Sequence, residues 1–313
     1  MATEPHAAGA AAPTAALRGR TVLAEAWQKA CPVLGVVLAL LVLWYAGAVA
    51  LNGRRVTEQL DGLGERWGVR ELALAAWSME RPVLPAPHQI AQGYWQSVFE
   101  APPDSPRSLV FHAGVTLSAT VLGFALGMIL GVVLAIGVVH SRVLDRGLLP
   151  WIIASQTIPI LAIAPMVVVV LGSLGLPPLA SKSVISMYLC FFPVAVGMVK
   201  GLRSPEVLQL DLLHTYGASR VQVLLKLRLP AAVPFLFASA KVAITASLVG
   251  AIVGELPTGA QAGLGARLLS GSYFGQTIQI WSALLMASLL GVLLVAAVSL
   301  AQRLVGRVMG TPA

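Results

Sequence analysis

Residues 202–232 read LRSPEVLQLDLLHTYGASRVQVLLKLRLPAA and lie between two long apolar segments of the chain. Two parts of this stretch, 204–216 and 219–227, have helix-forming composition with apolar residues at helical spacing. Gly217 separates the two parts and permits a tight turn, and Pro230 suits the point where the chain re-enters the membrane. The stretch therefore predicts a short helical hairpin between two membrane spans. Its apolar stripe consists of Val207, Leu210 and Leu213 in the first part and Val221, Leu224 and Leu225 in the second.

This predicted hairpin has two interpretations. Its basic residues Arg220, Lys226 and Arg228 suit an element that docks onto another protein in the cytosol. They equally suit an amphipathic loop that rests on anionic lipid headgroups. The residues alone leave both interpretations open.

Apolar residues dominate the rest of the chain. Of the 313 residues, 57% are hydrophobic and 11% are charged, which is more apolar surface than one soluble core of this size can bury. Six apolar stretches are each near the length that crosses about 30 Å of hydrocarbon as a helix. Lipid offers the backbone no hydrogen-bond partners, so these stretches must be helical. The sequence therefore predicts an all-α polytopic membrane protein with six transmembrane helices, at 33–51, 110–139, 151–172, 183–200, 233–253 and 281–302.

The basic residues indicate how the chain is oriented. With a cytosolic N-terminus, twelve of the 21 Lys and Arg residues fall in cytosolic segments, whereas most of the outer ones lie in the long 52–108 loop among acidic residues. The positive-inside rule holds best for short loops. Applied to those loops, it predicts a protein of the inner membrane with both termini in the cytosol. The net charge of +8 is thereby explained, and no nucleic-acid partner is predicted.

These features divide the chain into five predicted parts. The first apolar stretch ends in Ala46, Gly47 and Ala48, which also suits a signal-peptide cleavage site, but its length of about nineteen residues favours an uncleaved helix. The predicted parts are a disordered cytosolic tail at 1–30, the first transmembrane helix at 31–52, an extracytoplasmic loop with short amphipathic helices at 53–108, a five-helix transmembrane core at 109–305 that carries the hairpin at 203–232, and a cytosolic tail at 306–313.

Motifs for catalysis, metals and cofactors are absent from the sequence. None of the five lysines follows a glycine, so no phosphate-binding loop of the Walker type is present. The five histidines are scattered without metal-ligand spacing, and Cys31 and Cys190 stand alone in or beside apolar stretches. The sequence therefore predicts no catalytic residue, no metal site, no disulfide and no bound cofactor.

A few residues in or near the spans are candidates for a translocation path. Lys241 lies inside the fifth stretch, where a charge costs about 2.5–3.5 kcal/mol on insertion scales. It either contacts an anionic substrate or fixes helix packing, and Glu255 marks the outer end of the same stretch. Pro159 and Pro165 interrupt helix hydrogen bonding in the third stretch and predict a kinked helix there.

A glycine-rich segment follows the fifth stretch. It runs from 254 to 275 and includes Gly263 and Gly265. Glycines at this density permit sharp turns and close approach to another backbone. A gating element and a plain flexible loop both fit this composition.

The hairpin also resembles a known family. The run from Asp211 to Pro230 resembles the EAA signature of permease subunits in binding-protein-dependent ABC importers. Gly217 and the pair Leu229-Pro230 stand at that family's spacing, whereas Asp211 replaces its glutamate and two leucines replace its two alanines. By this resemblance the residues that couple to an ATPase are Asp211, Leu212, Leu213, Gly217, Ala218, Ser219, Arg220, Leu229 and Pro230.

The resemblance extends over about residues 82–305 and is greatest to permeases of the nitrate, sulfonate and taurine type. The matching motifs are Leu84-Pro-Ala-Pro87, the third helix from Thr157 to Pro165, Gly254-Glu255 and Gly263-Leu-Gly265. Lys241 falls where those permeases often carry arginine, which the resemblance associates with a shared structural role. The translocation-path candidates are therefore Pro159, Pro165, Lys241, Glu255, Gly263 and Gly265.

The resemblance implies a type I ABC importer permease fold and a transport function. The chain would provide the path for a small solute, a nitrate-, sulfonate- or taurine-like anion or a small heterocycle. Its implied partners are cytosolic ABC ATPase subunits, an extracytoplasmic solute-binding protein, a second permease subunit in a homodimer and the lipid bilayer. ATP hydrolysis would take place in the partner subunit, so the chain itself would not be an enzyme. A secondary transporter driven by an ion gradient and a membrane scaffold protein are the alternatives.

Overall fold

The computed structural model describes residues 15–62, 67–257 and 262–310, with the backbone alone described for 15–30. All regular elements of this described part are helices, which confirms the all-α prediction. The helices are α1 (Ala15–Gly62), α2 (Val69–Ser78), α3 (Pro87–Trp95), α4 (Leu109–His140), α5 (Arg142–Ala154), α6 (Ile160–Ser173), α7 (Pro178–Leu202), α8 (Val207–Thr215), α9 (Arg220–Val223), α10 (Leu229–Gly254), α11 (Leu264–Tyr273) and α12 (Thr277–Met309). A π-helical turn follows α3 at Gln96–Glu100 and another follows α9 at Leu224–Arg228.

Within the described ranges, five helical segments are long and apolar enough to cross a membrane. They are α1 from Cys31 onward, α4, α7, the continuous run of α9 and α10, and α12. The sixth predicted span is a pair, α5 and α6, bent by 99° at a short break. The structure thus replaces the expected kinked helix at 151–172 with a broken one. Pro159 is the physical reason, because it lacks an N–H and begins α6 as its N-cap with an extended ψ of 122°.

The helix ends differ from the predicted part boundaries. Helix α1 begins at Ala15 and continues to Gly62, so it overlaps the predicted disordered tail and the predicted outer loop. Helix formers predominate in both extensions, and neither extension contains two adjacent Gly or Pro residues. Helix α12 likewise runs to Met309, past the predicted boundary at 305. Residues 1–14 and 311–313 of the predicted tails lie outside the described residues.

The chain divides into two compact units, 1–89 and 90–313. In the first unit the buried side chain of Asn52 holds the proline-rich connection after α2 against α1. Its Nδ2 donates to the Leu84 carbonyl at 2.9 Å, and its Oδ1 accepts from the Val83 N–H at 2.7 Å. Trp44 adds a bond from Nε1 to the Pro85 carbonyl at 3.0 Å. These contacts satisfy backbone groups that the prolines leave without helical partners.

The core of the second unit is the packing of α4 against α7 and of α7 against α10. Small residues on α4 let α7 approach so closely that a Cβ added at Gly127 would lie 2.7 Å from Cys190. On the other side of α7, the Ser186 hydroxyl lies 2.7 Å from the Ser247 carbonyl of α10. Helix α7 is therefore packed closely against α4 on one side and α10 on the other, and the three helices form one rigid core. The facing pairs along α4 and α7 are Gly123 with Ser186, Gly127 with Cys190 and Gly131 with Val194.

Candidate functional site

Gly217 forms the turn of the hairpin. Its φ of +69° is left-handed, a conformation that costs other residues about 1–2 kcal/mol. The Gly217 N–H donates to the His214 carbonyl at 2.9 Å, and the Ala218 N–H donates to the Leu213 carbonyl at 3.0 Å. These two bonds form a Schellman motif that ends α8. A local signal in the sequence thus sets the position of the turn.

Ser219 starts the second helix of the hairpin. Its hydroxyl accepts from the Gln222 N–H at 3.3 Å, and the Gln222 side chain accepts from the Ser219 N–H at 2.8 Å. This reciprocal capping box satisfies two backbone donors that would otherwise lack helical partners. The chain then continues through the π-helical turn into α10, where Pro230 occupies the first turn.

The hairpin is anchored to the transmembrane core at the C-terminal end of α7 and the N-terminal end of α10. The sequence predicts that these two ends face the cytosol. Arg228 donates from Nη1 to the carbonyl of Leu202, the last residue of α7, at 3.1 Å. One residue further, Arg203 pairs with Asp145 of α5 at 2.8 Å. Val223 is buried, whereas the rest of α9 is exposed. A displacement of the hairpin would therefore act directly on the ends of three helices.

The outer surface of α8 is apolar and exposed. Leu208, Leu212 and Tyr216 are 78%, 57% and 80% exposed and follow one another at four-residue spacing. Leu210 and Leu213 of the predicted stripe are instead half-buried. An exposed apolar surface of this kind marks a protein or membrane interaction site.

The other predicted coupling residues lie along the same hairpin. Asp211, Ser219, Arg220 and Pro230 are exposed, whereas Ala218 and Leu229 are half-buried. The Asp211 carbonyl accepts from the Thr215 hydroxyl at 3.0 Å, so that residue sits within regular helix. The structure thus places the nine predicted coupling residues on one continuous element.

A buried ion pair lies at the opposite ends of α7 and α10. The Nζ of Lys182 lies 3.4 Å from Oε1 of Glu255, and the exposed fractions of the two side chains are 8% and 0%. The Thr116 hydroxyl of α4 lies 3.0 Å from the same oxygen. The Gly265 N–H donates to Oε2 of Glu255 at 2.8 Å. The carboxylate is thus held by groups from three other segments, α4, α7 and α11, as a buried charge requires.

The same cluster fixes the start of α11. Lys182 also donates to the Ala262 carbonyl at 2.9 Å, and the Leu264 N–H donates to the Thr116 hydroxyl at 2.9 Å. The glycine at 263 has a φ of +126°, and a Cβ there would overlap the Glu255 carboxylate. In the described part of this glycine-rich segment, the glycines permit close approach of the backbone to a buried charge.

His112 completes the cluster in a single tautomer. Its Nδ1 accepts from the Gly263 N–H at 3.0 Å, and its Nε2 lies 2.8 Å from the Pro106 carbonyl. Because a carbonyl oxygen can only accept, the proton is on Nε2. The imidazole therefore ties the segment before α11 to the bend before α4.

The structure does not bring all the translocation-path candidates together. Glu255, Gly263 and Gly265 meet in the buried cluster. Lys241 is half-buried on α10, fourteen residues and therefore roughly 21 Å of helix away from Glu255. Pro159 and Pro165 are exposed beside the break between α5 and α6.

Sequence reasoning missed Lys182, Thr116 and His112. Lys182 stands one residue before the predicted fourth span, so it was not counted among the charged residues inside the spans. His112 and Thr116 stand four residues apart inside an apolar helix, together with the buried Thr120. Polar residues at this spacing on one face of a span were the available signal. In the described part of the chain, no group of three or more His, Cys, Asp or Glu side chains is placed to hold a metal ion.

Comparison with known proteins places this chain among transport proteins. Residues 127–310 match the family described as binding-protein-dependent transport system inner membrane component. A probable ABC transporter permease protein of Haemophilus influenzae is 34% identical over 215 residues, which are 68% of this chain and 84% of that protein.

Two further relatives carry names that specify a solute. The formylaminopyrimidine transport permease protein of Halalkalibacterium halodurans is 32% identical over 62% of this chain and 76% of its own length. The riboflavin transport system permease protein of Chloroflexus aurantiacus is 31% identical over 72% of this chain and 80% of its own length. The resemblance inferred from residues 211–230 is thereby confirmed at the level of the family.

Proposed function

Because the chain belongs to the family of binding-protein-dependent transport system inner membrane components, we propose that it is the translocating subunit of an ATP-driven importer. Its hairpin docks into a groove of a cytosolic ABC ATPase. The observation that carries this proposal is the exposed apolar face of α8, formed by Leu208, Leu212 and Tyr216. Such a face gains free energy when a partner covers it.

The hairpin transmits motion through its anchors. Closure of the ATPase dimer on ATP displaces α8 and α9, and the bond from Arg228 to the end of α7 carries this displacement into the core. Helices α7 and α10 are packed closely along their length, so they move together rather than bend separately. The solute path opens to one side and then to the other, and hydrolysis in the partner resets it.

The assembly has several partners. Two copies of this chain form the path as a homodimer, each bound to one ATPase subunit. An extracytoplasmic binding protein delivers the solute to the end of the core that holds Lys182 and Glu255. Both termini and the hairpin lie in the cytosol, because the basic residues of the short loops are concentrated at that end.

The solute is a small heterocycle or a small organic anion. Two relatives at 32% and 31% identity are named for formylaminopyrimidine and riboflavin transport, which supports a heterocycle. The resemblance to permeases of the nitrate, sulfonate and taurine type supports an anion. Selectivity rests with the binding protein, whose ligand a thermal-shift screen identifies.

Replacement of Gly217 tests the docking function. Gly217→Glu places a charged side chain at the hairpin turn, where a Cβ meets no atom within 4 Å, so its structural cost is the left-handed strain at that turn. We expect loss of ATPase copurification and of uptake, while membrane insertion persists. Gly175→Glu is the matched control, because Gly175 also has a positive φ, +74°, and open space but lies between α6 and α7.

Three results would contradict the proposal. Unchanged uptake by Gly217→Glu would argue against docking at this turn. Ion-coupled uptake by the purified chain without nucleotide would indicate a secondary transporter. Purification from its native membrane without any ATPase would favour a scaffold protein.

A further inference from the structure

An open cavity of about 690 Å³ lies in the second unit, beside the junction of α11 and α12. Its walls come from the π-helical turn after α3, from the proline-rich bend before α4 and from the α11 and α12 junction. Two arginines and one glutamate line it, so its charged side chains sum to a positive charge. The lining residues used below are Glu100, Arg107, Arg267, Gln276 and Gln279.

The backbone of Arg267 is held firmly. Its N–H donates to the Gly263 carbonyl at 3.1 Å, and its carbonyl accepts from the Gln279 side chain at 3.2 Å. The guanidinium is less well satisfied, because its Nε is buried without a hydrogen-bond partner among the described residues. A buried donor without an acceptor is costly. Arg267 also lines the cavity, so its guanidinium is a charged group there whose hydrogen bonds are incomplete.

The neighbouring carboxylates do not supply that acceptor. Glu255 is already engaged by Lys182, Thr116 and the Gly265 N–H. Glu100 lines the cavity, but within the described ranges it forms no ion pair with either arginine at 4.0 Å or less. Burial also lowers the pKa of the Arg267 guanidinium, since desolvation is not offset by a paired carboxylate.

We propose that this cavity binds a small free oxyanion, such as a sulfonate or carboxylate, between the guanidinium groups of Arg267 and Arg107. A planar guanidinium matches the paired oxygens of such a group and binds it through charge-assisted hydrogen bonds. The amide of Gln276 offers a further neutral donor at the wall. The proposal concerns binding of an anion by this chain alone, whether or not that anion is the transported solute.

Titration of the purified full-length chain with methanesulfonate tests the site. Isothermal titration calorimetry in lipid nanodiscs should give saturable binding that Arg267→Gln weakens by about tenfold or more. Glu100→Gln should strengthen binding several-fold, because it removes a competing negative charge from the cavity. Two substitutions of opposite sign cannot both arise from a loss of folding.

Arg303→Gln is the matched control, because it removes the same charge from an exposed position on α12 outside the cavity lining. It should leave the affinity unchanged. Equal affinities for the wild type and Arg267→Gln would overturn the proposal. So would the absence of saturable binding, which would instead indicate that the arginines meet a carboxylate on a partner surface. Neither result bears on ATPase docking, which copurification tests separately.

Discussion

Lys182 and Glu255 lie 3.4 Å apart in the interior of the second unit, although 73 residues separate them along the chain. Each charge offsets the desolvation of the other, and the Thr116 hydroxyl and the Gly265 N–H complete the carboxylate shell. The pair joins the first turns of α7 to the end of α10. It is therefore the central contact of this end of the core.

Removal of one partner of this pair should destabilise the protein. Glu255→Gln leaves the Lys182 ammonium buried without its counter-charge, which costs about 3–5 kcal/mol. Lys182→Met likewise leaves the Glu255 carboxylate buried without its counter-charge. We expect both variants to show a lower melting temperature in detergent, whereas the double variant regains part of the loss.

The exposed pair of Arg54 and Glu58 is the matched control. Its two groups also lie 3.4 Å apart, but their side chains are 92% and 68% exposed. Arg54→Gln and Glu58→Gln should leave the melting temperature unchanged, because water already solvates both charges. Simple addition of the two single effects in the Lys182→Met and Glu255→Gln double variant would show that the buried groups do not interact.

Gly263→Ala should be more damaging than a change at another glycine with positive φ. At Gly263 the added Cβ overlaps the Glu255 carboxylate and meets the left-handed strain as well. At Gly175, with a φ of +74°, a Cβ meets nothing within 4 Å, so Gly175→Ala carries the strain alone. Melting temperature and yield of monodisperse protein measure the difference. Equal losses in the two variants would contradict the close approach at Gly263.

The hairpin could be inferred from sequence because its signals are local. Gly217 supplies the left-handed turn, Ser219 caps the helix that follows it, and Pro230 occupies a first turn. The apolar spans are likewise readable from composition alone. These features need no knowledge of which distant segments meet.

The buried cluster could not be inferred in this way. Its central bond connects residues far apart in sequence, and Lys182 stands outside the hydropathy window that marked the fourth span. A proline also predicts that a helix is interrupted but not by how much, so the bend of 99° beside Pro159 required the structure. Both omissions concern the relative placement of segments, which tertiary packing decides.

A charge on the apolar face of α8 should abolish docking. Leu212→Glu introduces a carboxylate into the surface that we expect the ATPase to cover, and an unpaired charge there is costly to desolvate. Copurification of the ATPase should fall by more than tenfold, while the yield of the permease is unchanged because Leu212 is exposed. His214→Glu is the control, since it adds the same charge two residues on, roughly on the other side of the helix. Equal loss in both variants would mean that charge alone, rather than this face, controls docking.

The orientation of the chain can be tested at its two ends. The distribution of basic residues predicts that the hairpin faces the cytosol and that α11 faces outward. In a chain with Cys31→Ala and Cys190→Ala, the exposed positions Ser219 and Ser272 accept single cysteines. A membrane-impermeant maleimide should label Ser272→Cys in sealed cells, whereas Ser219→Cys should react after the membrane is opened. Labelling of Ser219→Cys in sealed cells would place the hairpin outside, where no ATP-driven partner could reach it, and would contradict the proposed coupling at its foundation.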